Sequence, residues 1–86
     1  MVVNKAEIAK EIAMEMDISE RTASKMITTV FDHIMDTVAE GNEVMIPGFG
    51  KFYEADVKER TTFGNTTPAH RVPKFKAGKA FKDAVS

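Results

Sequence analysis

Apolar residues recur first at three- and four-residue intervals and later at every second position. Behind Asn4, residues Ile8, Ile12 and Met16 fall at i, i+4 and i+8, with Ala9 and Ala13 alongside. That spacing places them on one face of a helix. Asn4-Lys5-Ala6-Glu7 reads as its capping box, with Asn4 capping the first turn and Glu7 reaching back to the Asn4 amide. Asp17-Ile18-Ser19 interrupts the pattern, and Ser19 is a second N-cap candidate. From about Glu20 to Glu40 the apolar positions Ala23, Met26, Ile27, Val30, Phe31, Ile34, Met35 and Val38 keep helical spacing. A stripe this long exceeds what one short helix covers, so part of it, Phe31 included, is expected to meet a second copy of the chain. Gly41 stands where a helix-ending glycine belongs, and Gly41-Asn42 turns the chain.

The second half is β-prone. Glu43 to Ile46 is a short strand ended by Pro47-Gly48, and Phe49 resumes an extended path. Lys51 to Thr62 is expected as one long strand. Gly64-Asn65, between threonine-rich flanks, is expected as a two-residue hairpin turn. The return strand runs from about Thr67 to Lys76. Pro68 and Pro73 lie in it, so it needs a free edge or a break there. Ala77-Gly78 ends it, and Lys79 to Val85 forms a short closing helix. The fold class is α+β: two N-terminal helices, a small antiparallel sheet with a projecting β-hairpin arm, and a short C-terminal helix. Residues 1–86 make one domain, with a helical dimerisation part at 1–41 and the sheet, arm and closing helix at 42–86.

Charge sharpens this picture. The formal net charge of −1 hides nine acidic and four basic side chains in residues 1–50, against four acidic and eight basic in residues 51–86. Arg60 to Lys82 holds six cations, Arg60, Arg71, Lys74, Lys76, Lys79 and Lys82, and no Asp or Glu. A local cationic stripe is the footprint of a polyanion binder. Lys74 and Lys76 alternate along the return strand, and Lys79 and Lys82 share a helical face, so strand and helix would present one positive surface. These six residues are candidate phosphate contacts; a merely solvated face is the plainer reading. His70, next to Arg71, is a further candidate when protonated. Phe63, beside the expected turn, has no core to join at a hairpin tip. It is a candidate apolar wedge for a base step, unless it packs on its own hairpin or a partner chain. Thr61, Thr62, Thr66 and Thr67 are candidate hydrogen-bond partners for phosphates or sugars, and ordinary strand formers on the plainer reading.

Other chemistries find little support. The chain has no cysteine, and His33 and His70 lie far apart, so no metal site is expected. Gly48-Phe49-Gly50-Lys51 lacks the glycine spacing of a phosphate-binding loop, and no nucleophile–base set is recognisable. No enzyme activity and no cofactor are expected. No apolar run approaches membrane-span length and no signal-peptide block opens the chain, so a cytoplasmic location is expected.

Three segments resemble the HU/IHF family of bacterial histone-like DNA-binding proteins. They are Asn4-Lys5-Ala6-Glu7-Ile8, the run VMIPGFGKF from Val44 to Phe52, and PAHRVPKFKAGKAFKDAV from Pro68 to Val85. The resemblance covers essentially the whole chain. It implies an intertwined homodimer with two β-arms reaching around the minor groove of double-stranded DNA, and a place in the nucleoid. By that resemblance Phe49, Phe52 and Phe75 are dimer-core residues, Lys76, Lys79 and Lys82 are phosphate contacts, and Arg71 lies on the return arm strand. The chain departs from the family in a shorter arm without the Asn-Pro tip, and in Ala77 where the family has proline.

Two rival readings remain. Ile8 to Ile27 has the outline of a helix-turn-helix, but Glu11, Glu15, Asp17 and Glu20 make it too acidic for a major groove. Alternatively the protein is an interaction module. It would then pair with, or antagonise, another HU-type subunit as a heterodimer and bind DNA weakly by itself.

Overall fold

A computed structural model describes residues 1–86, in the order α1 (Lys5–Met16), α2 (Glu20–Ala39), β1 (Val44–Ile46), β2 (Gly50–Val57), β3 (Arg60–Thr62), β4 (Asn65–Thr67), β5 (His70–Ala77) and α3 (Lys79–Val85). The chain forms two compact units, Met1–His33 and Ile34–Ser86, whose boundary falls inside α2.

In the first unit the helix starts are set by side chains that satisfy orphan amides. The Glu7 amide donates to Asn4 Oδ1 at 3.0 Å, and the Thr22 amide donates to Ser19 Oγ at 3.1 Å. Asp17, in the left-handed region at φ 56°, closes α1 by donating its amide to the Ala13 carbonyl. The two helices meet through small residues. Ala9, Ala13 and Ala23 are the buried ones, with Ile12, Ile18 and Ile27 packed around them. The larger side chains beside them stay open. Ile8, Met16, Met26, Val30 and Phe31 line an apolar groove of roughly 770 Å³ on this unit.

In the second unit α2 ends in a Schellman motif. The Gly41 amide donates to the Val38 carbonyl and the Asn42 amide to the Thr37 carbonyl, with Gly41 at φ 91°. The sheet has the order β1-β2-β5, all antiparallel. Its register pairs Val44 with Phe52 and Phe52 with Phe75, so one face carries the aromatic residues. Helix α3 docks on the β1–β2 turn, where the Gly78 amide donates to the Phe49 carbonyl and the Phe81 amide to the Gly48 carbonyl. This brings Phe81 onto Phe49, Phe75 and their neighbour Phe52, with ring centroids 4.8–6.3 Å apart.

The arm differs from expectation in two ways. Neither long strand is continuous. Lys58-Glu59 and Pro68-Ala69 interrupt the ladder, which splits into β2–β5 below and β3–β4 above. Pro68 has no amide to donate, so the break falls where the pairing would have needed one. Pro73 is tolerated because β5 is an edge strand of this sheet. The turn also lies one residue earlier than expected, at Phe63-Gly64, between the closing pair Thr62 and Asn65. The register explains this. Val57↔His70 and Arg60↔Thr67 are separated by three residues on both strands, so one register runs through the break to the tip. A Gly64-Asn65 turn in a continuous ladder would slide Phe52 opposite Ala77 and separate it from Phe75. Phe63 (φ 46°) and Gly64 (φ 82°) both take positive φ, as a type I′ turn demands.

Candidate nucleic-acid interface

Strand register decides which cations act together. On β2 and β5 the pairs Lys51↔Lys76, Tyr53↔Lys74, Ala55↔Val72 and Val57↔His70 share one face, opposite the phenylalanines. That face holds three lysines and a histidine among these eight residues, and no carboxylate. Lys51 Nζ lies 5.1 Å from the Tyr53 ring centroid, a cation–π pair. It also lies 3.7 Å from Glu43. Lys74 and Lys76 are exposed, as are Lys79 and Lys82 on α3. The structure contains two ion pairs, Lys51–Glu43 and Arg71–Glu54, so these four lysines and Arg60 carry uncompensated charge. His70 Nδ1 is 3.0 Å from the Pro68 carbonyl, beside the break in the arm.

Arg71 does not join the stripe. It occupies an odd position of β5, on the face of Phe75, opposite Asp56. Its Nη1 donates to Glu54 Oε2 at 2.7 Å. Arg60 begins the tip hairpin opposite Thr67, and Phe63 stands fully exposed at the tip. A bulky residue at positive φ is a genuine outlier, and such strain persists where surrounding structure or function maintains it. Thr61 and Thr66 face each other across the tip with hydroxyls 3.4 Å apart. No three His, Asp or Glu side chains converge on one point.

The expected dimer-core residues fall in both units. Phe49, Phe52 and Phe75 form one cluster, joined by Phe81, while Phe31 lies in the groove of the first unit. Both surfaces are open in one chain: Phe31 is 52% exposed, Phe49 43% and Phe75 41%. No large side chain is fully buried.

The family model described as "Bacterial DNA-binding protein" matches residues 3–86. The chain belongs to the bacterial DNA-binding protein family. Within the family it is 36% identical to DNA-binding protein HU 1 of Bacillus subtilis over 93 residues, covering 98% of both chains. It is likewise 36% identical over 90 residues to DNA-binding protein HU-beta 2 of Neisseria meningitidis, covering 98% of this chain and 99% of that one. Among solved structures it is similar to HU in an Anabaena HU–DNA cocrystal, with a TM-score of 0.88, 29% identity and 98% coverage of each chain. HU from Thermotoga maritima follows at TM-score 0.74 and 30% identity, covering 98% of this chain and all of that one. No helix of this family member is long and apolar enough to cross a membrane.

Sequence reasoning passed over Lys51 and Tyr53 on the basic face, and Phe81 in the aromatic cluster. Lys51 lies outside the acid-free run, and only the register sets it opposite Lys76. The signal for Phe81 was its place in the closing helix, one turn from the glycine that lets that helix approach Phe49.

Proposed function

We propose that this family member is an architectural DNA-binding protein that acts as a homodimer, on the nucleoid in the cytoplasm, with little dependence on base sequence. The observation that carries the reading is the sheet face of Lys51, Lys74, Lys76 and His70, which has no carboxylate on β2 or β5, together with the exposed Lys79 and Lys82 on α3. Lysines of this kind neutralise phosphates and carry no base code. Two open aromatic and aliphatic surfaces support the homodimer, because water would otherwise cover them. Phe63 is the wedge, exposed at the tip of an arm that Arg60 flanks with charge. Arg71 is left out of the phosphate-contact set. The solved HU–DNA complex of the Anabaena relative points the same way.

The test is fluorescence-anisotropy binding to a duplex of about 30 base pairs across a salt series. Neutralising about six phosphates per dimer gives a slope of log K against log salt of about −5. Replacing Lys51 and Lys74 by glutamine should flatten that slope, by about 0.9 for each phosphate no longer neutralised. No binding at low salt would overturn the reading and favour pairing with another HU-type subunit. Subunit exchange would then be the measurement to make.

A further inference from the structure

Arg71 is the cation that the basic face does not use, and its surroundings say what it does instead. Glu54 holds its guanidinium with Oε2 at 2.7 Å. The other carboxylate oxygen, Oε1, lies beside Gly41, 3.7 Å from where a Cβ on that glycine would stand. Gly41 stands just past Ala39, the last residue of α2, so the carboxylate is near the negative end of a helix dipole. Asp56, two residues along the same face of β2, adds a second negative charge opposite Arg71. Arg71 is the cation paired with the Glu54 carboxylate. The pair stands immediately below the break at Lys58-Glu59 and Pro68-Ala69, where cross-strand hydrogen bonding lapses. Below the break the arm is held by the ladder; above it the tip hairpin has only its own three pairs.

We infer that Arg71 is a positioning residue. Its bond to Glu54 clamps β5 to β2 at the base of the arm and so sets the direction in which the tip, with Phe63, leaves the body. This rests on the DNA-binding reading for its purpose, but the geometry belongs to the free protein and is testable without DNA. Arg71 acts through Glu54 and touches no phosphate.

The absence of cysteine allows two spin labels to be placed cleanly, at Thr62→Cys on the arm and Asp83→Cys on α3. Labelled chain is diluted into excess unlabelled chain, so that each assembly carries one labelled copy. In free protein, Arg71→Gln and Glu54→Gln should each broaden the Thr62–Asp83 distance distribution. Arg71→Lys, which keeps a positive charge beside Glu54 and Asp56, should retain the parent width, which separates loss of the clamp from loss of folding. On DNA, Arg71→Gln should weaken binding without changing the slope of log K against log salt. An unchanged distribution in Arg71→Gln would overturn the inference. So would a slope reduced by about 0.9 per subunit, since that is the signature of one phosphate fewer neutralised. If the parent protein bound no DNA at all, the proposed function would fail while the label distances still judged the clamp.

Discussion

Gly50→Ala tests how the sheet and the aromatic cluster fit together. Gly50 is buried, pairs with Ile46 on one side and Ala77 on the other, and faces the phenylalanines. A Cβ there would stand 2.6 Å from the Lys76 carbonyl oxygen and 2.6 Å from Cε1 and Cζ of Phe75. Ordinary contact begins at 3.4 Å, so something must yield by about 0.8 Å. The Phe75 ring has Phe52 4.8 Å and Phe49 5.3 Å away, and the carbonyl belongs to the paired strand itself. Neither retreats without disturbing the ladder or the cluster. Overpacking of this kind costs about 1–3 kcal/mol, and a backbone obstacle puts Gly50 near the upper end. The gain from replacing a flexible glycine within a strand is about 0.5–1 kcal/mol, which leaves a net loss of about 2 kcal/mol. In a domain of this size each kcal/mol moves Tm by about 4–8 °C, so a fall of roughly 8–16 °C is expected. Thermal unfolding followed by circular dichroism is the assay, at one fixed chain concentration because assembly raises apparent stability. A Tm within about 2 °C of the parent would refute the packing of Phe75 against Gly50.

Two further substitutions address the tip and the aromatic surface. Phe63→Asn converts the turn to Asn-Gly, which favours positive φ at both central residues. It should stabilise the hairpin by about 1 kcal/mol in amide exchange of the arm, while reducing DNA bending measured by end-to-end energy transfer; unchanged bending would remove Phe63 as the wedge. Phe81→Ala should cost about 3–5 kcal/mol if a second copy covers the cluster, and its unfolding midpoint should then fall on dilution. A cost near 1 kcal/mol, independent of concentration, would mean that the cluster stays open to water.

The elements of the fold were legible from local signals. Asn4 and Ser19 mark helix starts because their side chains satisfy amides within three residues, and Gly41 ends α2 because it alone tolerates φ 91° there. At Pro68 the missing amide called for a free edge or a break, and the structure has the break; the matching break at Lys58-Glu59 carried no local signal. What tertiary structure decided was pairing. The turn settled on Phe63-Gly64, although Gly64-Asn65 has good local chemistry, because the register imposed by Phe52 against Phe75 runs unbroken to the tip. The same register recruited Lys51 and Tyr53 to the basic face and sent Arg71 to the other one, against Glu54. Composition counts cations along a chain, but a strand has two faces. Which face each cation takes is set by a partner strand some twenty residues away. Helix packing shows the same division. The spacing of Ile8, Ile12 and Met16, with Ala9 and Ala13 alongside, announced an apolar face, and within the unit Ala9, Ala13 and Ala23 are buried with Ile12 packed against them, while Ile8 and Met16 stay open. Small side chains let helices approach closely, and the bulky residues beside them, Ile8, Met16, Met26, Val30 and Phe31, stay open.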